Sequence, residues 1–211
     1  MTDIAANTDE SNGLRNKLID SAYQCFDRFG VRKTSMEDIA RHAGVSRQSV
    51  YRHFSSKQEI LESICSLEAV KVNAEVRKRL GRQKKFDELV TEVLLLIVKI
   101  VRTNPYLKAF LDDLALQSKA VSKSSHVYQL NREWWADVME QAAANGELAS
   151  DISLDEILSW LLMGQAMLQI RLEGQGEDDQ SLRRFIRRFV VLPITAQADR
   201  ARAAVTGKGP A

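Results

Sequence analysis

Proline is scarce in this 211-residue chain, occurring only as Pro105, Pro193 and Pro210. Because proline interrupts helices, its scarcity leaves almost the whole length free to be helical. Runs of alternating β-branched residues, which would indicate strands, are missing as well. The hydrophobic fraction of 45% is ordinary for a globular protein and excludes a disordered chain. We therefore predict an all-α fold.

Long apolar runs and cysteine motifs are also missing. The longest apolar run, Val93 to Val98, is far shorter than the roughly 20 residues that a membrane-spanning helix needs. The first ten residues are polar and acidic, which predicts no secretory signal. Cys25 and Cys65 belong to no spaced motif, and this favours buried free thiols over a redox role. Together these features predict a cytoplasmic protein without a membrane partner.

Patterns for catalysis and metal binding are absent from the sequence. His42, His53 and His126 do not cluster, and no histidine or cysteine pair has the spacing of metal ligands. Nucleophile motifs such as Gly-x-Ser-x-Gly do not occur. Gly174 and Gly176 follow no predicted strand and lie among acidic residues, which disfavours a phosphate-binding loop. We predict no enzyme activity, no cofactor and no metal site.

The charge of the chain is unevenly distributed. The net charge is +2, but residues 11–57 carry nine Lys/Arg against four acidic residues, whereas residues 1–10 carry three acidic residues and no Lys or Arg. An excess of positive charge in one segment is typical of a surface that attracts phosphate. The segment 11–57 is therefore the candidate for contact with nucleic acid.

Two short helices joined by a glycine turn are predicted within this basic segment. Thr34 and Glu37 have the spacing of a capping box, which predicts that the first of the two helices starts near Ser35. Gly44 permits a tight turn, and Ser46 is placed to cap the next helix. This order of elements is typical of a helix-turn-helix DNA-binding protein.

The second helix of the pair, predicted over residues 47–53, has an inner and an outer face. Val50 and Phe54 are expected to pack inward, which leaves Arg47 and Gln48 on the outer face. Arginine can bind the O6 and N7 atoms of guanine with two bonds, and glutamine can bind adenine in the same way. The outer face therefore predicts direct contact with DNA bases.

Residues 12–60 resemble the DNA-binding domain of the tetracycline-repressor (TetR) family of bacterial regulators. The matching segments are Thr34-Ser35, Asp38-Ile39-Ala40, Ala43-Gly44-Val45-Ser46, Val50-Tyr51-Arg52-His53-Phe54 and Lys57. The resemblance implies an N-terminal three-helix DNA-binding domain and a homodimer whose C-terminal helical bundle binds a small molecule that controls operator affinity. One departure from the expected pattern is the lack of a basic N-terminal arm, unless Arg15 and Lys17 serve in its place.

The resemblance also assigns roles to individual residues. Arg47 and Gln48 would contact base edges, with Ser49 in a lesser role. Tyr51, His53 and Lys57 would lie along the phosphates, with Thr34 and Ser35 at the neighbouring helix start. The predicted DNA-binding residues are Thr34, Ser35, Ser46, Arg47, Gln48, Ser49, Tyr51, His53 and Lys57. For His53 a capping or packing role stays open, and Tyr51 could instead pack on the first helix.

The rest of the chain predicts further helices, about nine in all. They are expected at residues 12–29, 35–43, 47–53, 56–80, 86–102, 105–117, 126–145, 153–172 and 178–191. Residues 117–125, rich in serine and lysine, predict a frayed helix end and a loop. The predicted domains are a disordered arm at 1–10, a helix-turn-helix domain at 11–57, a ligand-binding and dimerisation domain at 58–197, and a disordered tail at 198–211.

A ligand pocket is predicted in the second domain from its methionines and aromatic residues. Such flexible and flat side chains suit an adaptable apolar cavity, although each of them alone is more often plain core. The candidates are Tyr106, Phe110, Trp134, Met139, Met163 and Met167. Gln165, Gln169 and His126 are the polar residues that could orient a ligand. The expected effector is apolar or amphipathic.

A dimer interface is predicted from the last two helices, because the first of them has two apolar stripes. The predicted interface residues are Ile157, Leu161, Gly164, Leu168, Leu182, Phe185, Ile186 and Phe189. Two such helices could meet their symmetry mates in a four-helix bundle, or could pack only within the monomer. Arg183, Arg184, Arg187 and Arg188 would form a solvated face or pair across the dimer.

The sequence thus predicts a ligand-responsive repressor. It would bind a pseudo-palindromic double-stranded DNA operator as a homodimer and would be released by a small apolar or amphipathic effector. An activator or a ligand-independent regulator of the same family is the first alternative. A small-molecule carrier with a vestigial DNA-binding domain is the second.

Overall fold

The computed structural model of the chain describes residues 3–79, 85–120, 122–174 and 178–199, and over these residues it is all-α, as predicted. The helices are α1 (Asp3–Phe29), α2 (Met36–Ala43), α3 (Arg47–His53), α4 (Lys57–Arg79), α5 (Phe86–Thr103), α6 (Pro105–Leu111), α7 (Leu114–Ala120), α8 (His126–Ala144), α9 (Leu154–Gly174) and α10 (Asp179–Phe185). A π-helical segment, Ile186–Val191, and a 3-10 turn, Leu192–Ile194, follow α10. None of these described helices is long and apolar enough to cross a membrane.

The chain divides into two compact units, residues 1–68 and residues 69–211, and the division falls within α4. The first unit therefore extends beyond the predicted boundary at residue 57. Its added residues belong to its core, because Ile60 and Ile64 of α4 are fully buried. The hydroxyl of Tyr23 on α1 also donates to the Glu68 carboxylate at 2.8 Å.

Both cysteines are free and buried, as predicted. Burial raises the pKa of the Cys25 thiol and of the Cys65 thiol, since an apolar environment disfavours the thiolate. The two side chains behave as small apolar residues of the core.

The N-terminal helix starts earlier than predicted. Residues 1–10 were expected to form a disordered arm, whereas α1 already begins at Asp3. The predicted tail, residues 198–211, lies outside the described residues from residue 200 onward, as do Leu80 and residues 175–177 of the predicted turn.

The core of the second unit is built around α5, as its apolar sequence predicted. Val90, Leu94 and Val98 of this helix are fully buried and pack with Trp135 of α8 and Leu161 of α9. Two ion pairs also join the end of the chain to α5. Their members are Arg183 with Glu92, at 3.1 Å between Nη2 and Oε2, and Arg187 with Asp87, at 2.7 Å between Nη2 and Oδ2.

These ion pairs give two of the four arginines at 183, 184, 187 and 188 partners that were not predicted. Arg183 and Arg187 bind acidic residues of the same unit, while their side chains stay 42% and 50% exposed. Arg184 and Arg188 are exposed. Arg183 therefore connects α10 to α5, and Arg187 connects the π-helical segment to α5.

Helix α7 was not predicted. Residues 117–125 were expected to be a frayed end and a loop, but a separate helix runs over Leu114–Ala120. The Asp113 carboxylate accepts from the backbone N–H groups of Ala115 and Leu116 at 3.0 and 3.2 Å, and this caps the new helix. Its sequence signal is a single aspartate, which is easily missed beside Asp112.

Candidate functional site

The loop before α2 places the first helix of the helix-turn-helix. The N-cap is Ser35, whose hydroxyl accepts from the N–H of Asp38 at 3.1 Å, while the Asp38 carboxylate accepts from the N–H of Ser35 at 3.0 Å. Bonds from the Ser35 hydroxyl and N–H lower the pKa of Asp38. The predicted capping box of Thr34 and Glu37 is thus wrong by one residue.

Thr34 is buried because its hydroxyl points into the unit. The hydroxyl donates to the carbonyl oxygens of Cys25 at 3.1 Å and Gly30 at 2.9 Å. Its side chain therefore closes the loop after α1 and is not exposed for a phosphate contact. Ser35 is exposed at the start of α2, where partial positive charge favours an anion.

The turn and the start of α3 follow the sequence prediction. Gly44 has φ of 66°, in the left-handed region that favours glycine. Ser46 caps α3 by accepting from the N–H of Ser49 at 3.1 Å. Val50 and Phe54 are completely buried. The inner face of α3 is thereby fixed against the core, which determines the side chains that point outward.

Arg47, Gln48 and Tyr51 lie exposed on the outer face of α3. The Arg47 guanidinium carbon is 5.3 Å from the centre of the Tyr51 ring, and Arg47 Nη2 donates to the Tyr51 hydroxyl at 3.4 Å. This cation–π contact orders a long, flexible side chain before any ligand arrives. Tyr51 is thus 42% exposed, and its ring and hydroxyl support Arg47.

Ser49 and His53 are less available on α3. The Ser49 hydroxyl lies 2.9 Å from the hydroxyl of Ser46, the N-cap residue of α3, so it already has a hydrogen-bond partner within the helix. His53 is half-buried, and its Nε2 atom has no hydrogen-bond partner among the described residues. This buried nitrogen forms no capping hydrogen bond within the described residues and is not exposed to solvent. Contact of His53 with DNA therefore stays a prediction.

Lys57, at the start of α4, is engaged within the protein. Its ammonium donates to the backbone carbonyl oxygens of Val31, Arg32 and Thr34 at 2.8, 3.1 and 2.8 Å. Burial lowers the pKa of this group. An ammonium has three N–H donors, and here all three are used. The structure therefore gives Lys57 a positioning role and leaves it no donor for a phosphate.

Replacing Lys57 by methionine should destabilise the first unit by about 2 kcal/mol, because three charge-assisted hydrogen bonds are lost. Thermal or urea unfolding of the full chain measures this loss. Lys33→Met is the matched control, since Lys33 lies exposed in the same loop and should be replaceable without loss of stability. Unchanged stability together with uniformly weaker DNA binding for Lys57→Met would restore the phosphate role.

Other basic residues of the first unit were not among the predicted contacts. Arg52 is exposed on α3, and Arg32 and Lys33 are exposed in the loop before α2. Their exposure could not be known before the buried face of each element was fixed. Arg15, considered as a substitute for a basic arm, is engaged by the Ser63 hydroxyl at 2.9 Å and the Phe54 ring at 4.7 Å.

A cavity of about 520 Å³ lies in the second unit, bounded by the end of α4, by α5 and by α8. Its lining residues are Val76, Arg77, Phe86, Leu89, Val93, Trp134, Trp135, Asp137, Val138, Gln141, Ala142, Asn145 and Glu147. The volume is within the range of pockets that bind small molecules. The cavity therefore has apolar walls and several polar groups.

Only one of the six predicted pocket residues lines this cavity, namely Trp134. Tyr106, Phe110 and Met139 are buried elsewhere in the core, whereas Met163 and Met167 are about half exposed on α9. The polar candidates differ too, since Gln169 donates to the Val98 carbonyl at 3.2 Å. Neither Gln165 nor His126 lines the cavity.

The residues predicted for the dimer interface lie mostly inside the monomer. Those buried in the core of the second unit are Ile157, Leu161, Gly164, Leu168, Leu182 and Ile186. In the single chain these side chains are therefore covered by the core of their own unit. Phe185 is half-buried, and Phe189 is 55% exposed.

A different apolar face is exposed on α9 and the segment after it. This exposed apolar face consists of the exposed Met163, Met167 and Phe189 and of the half-buried Trp160 and Phe185. The two elements pack together, since the Trp160 indole N–H donates to the Val190 carbonyl at 2.8 Å. The Phe185 and Phe189 rings are 4.9 Å apart between centres. Large apolar side chains exposed together are typical of a protein interface.

The first unit matches a known protein family. Residues 18–64 match bacterial regulatory proteins, tetR family, which covers the C-terminal part of α1, all of α2 and α3, and the start of α4. The chain is 27% identical over 150 residues to the HTH-type transcriptional regulator SrpR of Pseudomonas putida, spanning 69% of this chain and 68% of SrpR. It is 28% identical over 158 residues to the HTH-type transcriptional repressor KstR2 of Rhodococcus jostii, spanning 72% and 76% of the two chains.

The fold also resembles a solved structure over nearly its whole length. The crystal structure of RolR in complex with its ligand resorcinol has a TM-score of 0.70 with this chain and 15% sequence identity. The likeness covers 93% of this chain and 95% of RolR. At this identity it establishes the fold of both units and nothing about the ligand.

Proposed function

Because the chain is a transcriptional regulator of the TetR family, we propose that it represses transcription by binding a two-fold-symmetric operator as a homodimer. A small organic molecule bound in the cavity of the second unit releases the operator. The protein acts in the bacterial cytoplasm, where it meets chromosomal DNA. It is a regulator and not an enzyme, as are the relatives that it matches.

The observation that carries the proposal is the outer face of α3. Arg47 and Gln48 are exposed there, while the opposite face is held by the fully buried Val50. A helix presented in this way can enter the major groove, where arginine and glutamine distinguish bases. Ser35, Ser46, Ser49, Tyr51 and His53 lie nearby in the chain and supply further contacts to bases or phosphates. Thr34 and Lys57 hold the surrounding loop in place.

The homodimer forms through the exposed apolar face of α9 and the following segment. Met163 and Met167 recur at helical spacing on α9, and Phe189 is more exposed than either of them. A second copy of the chain is the occupant that fits, because an isologous interface buries the same patch of both copies. It also places two copies of α3 on one DNA molecule, which a two-fold-symmetric operator requires.

The cavity and the relatives support release by an effector. RolR was solved with resorcinol bound, and KstR2 is named a repressor. Effector release needs a ligand that binds one conformation of the dimer more tightly than the other. The cavity of about 520 Å³ has room for such a molecule. Activation and ligand-independent regulation are the competing modes within the family.

The experiment that tests this function is selection of bound fragments from random DNA by the full chain, at near-physiological salt with competitor DNA present. We expect enrichment of a two-fold-symmetric site with half-site centres about 34–36 Å apart, or slightly more. The double variant Arg47→Ala/Gln48→Ala is the control and should lose the enrichment. Salt-sensitive binding without an enriched sequence would contradict the proposal and favour a small-molecule carrier.

The position of the selected operator relative to the promoter then distinguishes repression from activation. A site that overlaps a promoter supports repression, whereas a site upstream of the promoter supports activation. A reporter placed behind the selected operator measures the sign directly. Higher expression on deletion of the regulator is the expected result, and lower expression would replace repression by activation.

A further inference from the structure

The cavity of the second unit has aromatic and aliphatic walls. Phe86 and Val93 of α5 face it from one side, and Trp134 and Val138 of α8 from another. The Trp134 and Trp135 rings meet edge to face, with centres 4.6 Å apart. Walls of this kind bind a ring or another bulky apolar body through burial of apolar surface.

Three charged side chains lie among these walls, and two of them are acidic. Asp137 on α8 has neither a hydrogen bond nor an ion pair among the described residues. Glu147 uses one carboxylate oxygen to accept from the Phe86 N–H at 2.9 Å, which leaves the second oxygen available. Arg77 of α4 is the opposing cation, and it pairs with neither acidic residue over the described part of the chain. Among the described lining residues, the balance of formal charge is thus negative.

Trp134 adds a second attraction for positive charge. The face of an indole ring attracts a cation more strongly than any other side-chain ring. The Trp134 N–H is buried and has no hydrogen-bond partner among the described residues. No hydrogen bond within that part of the chain therefore opposes a rotation of the ring toward a ligand.

We propose that this cavity binds organic cations, with an aromatic or alicyclic body and a protonated amine. The apolar body lies against Phe86 and Trp134, and the amine lies at Asp137. This inference rests on the proposed effector function of the cavity and defines the class of effector. Asp137 is exposed as well as lining the cavity, so it can meet an amine that stays partly hydrated at the mouth.

The test uses three probes that share one ring system and differ only in charge. They are 1-naphthylmethylamine, protonated at neutral pH, the uncharged 1-naphthalenemethanol and the anionic 1-naphthoate. Titration calorimetry on the full chain without DNA measures the three affinities. We expect the amine to bind most tightly, the alcohol less tightly and the acid least tightly. Tightest binding of the acid, equal binding of all three, or no binding of the amine would overturn the inference.

Two variants connect the preference to the charges of the cavity. Asp137→Asn should weaken amine binding by about threefold to fivefold and leave the alcohol unchanged, as expected for a partly exposed ion pair. Arg77→Gln should strengthen binding of the amine by a similar factor and weaken binding of the acid. Glu140→Gln is the matched control, because it removes the same charge from an exposed position of α8 outside the cavity. Equal effects of Asp137→Asn and Glu140→Gln on the amine would contradict the assignment.

Failure of the proposed function gives a different result. If the amine binds with the expected preference but releases no operator DNA, the ligand class stands and the effector role fails. If the acid releases operator DNA and binds more tightly than the amine, the effector role stands and the ligand class fails. The calorimetric and DNA-release measurements therefore answer the two questions separately.

Discussion

Replacing Phe189 by aspartate should convert the proposed dimer into a monomer and weaken operator binding by about 10²–10⁴-fold. The side chain is 55% exposed in the single chain, so a carboxylate there is solvated and leaves the monomer folded. In an apolar interface between two copies, the same substitution buries two carboxylates without partners, which is costly. The operator affinity falls because two linked half-site contacts become independent ones.

Sedimentation analysis measures the first effect as a fall from twice the monomer mass of 23.8 kDa to that mass. Leu114→Asp is the matched control, since Leu114 of α7 is 79% exposed and lies outside the exposed apolar face. It should leave both the mass and the operator affinity unchanged. A dimeric Phe189→Asp protein, or dissociation by Leu114→Asp, would show that the two copies meet elsewhere.

Helix α9 shows why the interface could not be chosen from the sequence. The helix has two apolar stripes, and periodicity alone does not tell which of them faces the core. The structure places Ile157, Leu161 and Leu168 inside and leaves Met163 and Met167 outside. A Cβ added at Gly164 would lie 3.0 Å from a Val190 methyl group. The inner face of α9 is thus the one on which Gly164 permits the close approach of Val190. The sequence gives no signal for this contact, because the two residues are 26 positions apart.

The helix-turn-helix was predictable because its signals are local. Gly44, Ser46 and Val50 lie within seven residues of one another. Their roles in the turn, the N-cap and the buried helix face can be inferred from their immediate neighbours in the sequence. The capping box before α2 was misplaced by one residue because Thr34 and Ser35 are both good N-cap residues. A distant contact decided between them, since the Thr34 hydroxyl is used by the Cys25 carbonyl.

Lys57 and the cavity were missed for the opposite reason. The carbonyl groups that hold the Lys57 ammonium are 23–26 residues earlier in the chain and belong to the backbone, so they have no sequence signal. The walls of the cavity come from the consecutive helices α4 and α5 and from α8, which is distant from both in sequence. Aromatic and methionine content predicted that a pocket could exist, but only helix packing could place it.

Replacing Arg47 by alanine should abolish discrimination at one base pair of each half-site, at a loss of about 1–3 kcal/mol per half-site. Binding to random DNA should change little, because a base-edge contact contributes specificity more than general affinity. Tyr51→Phe should have a smaller effect in the same direction. It keeps the ring on which Arg47 stacks at 5.3 Å but removes the hydroxyl that accepts from Arg47. Competition binding of operator variants against random DNA measures both changes.

Arg52→Ala is the matched control for Arg47→Ala, because it removes the same charge from the same exposed helix. A phosphate contact from Arg52 is independent of sequence, so this variant should weaken operator and random DNA by the same factor and reduce the salt dependence. Equal losses on operator and random DNA for Arg47→Ala as well would refute base contact by Arg47. The stacked Arg47–Tyr51 pair would then orient a phosphate contact, and Gln48 would be the remaining exposed residue at the start of α3 able to read a base edge.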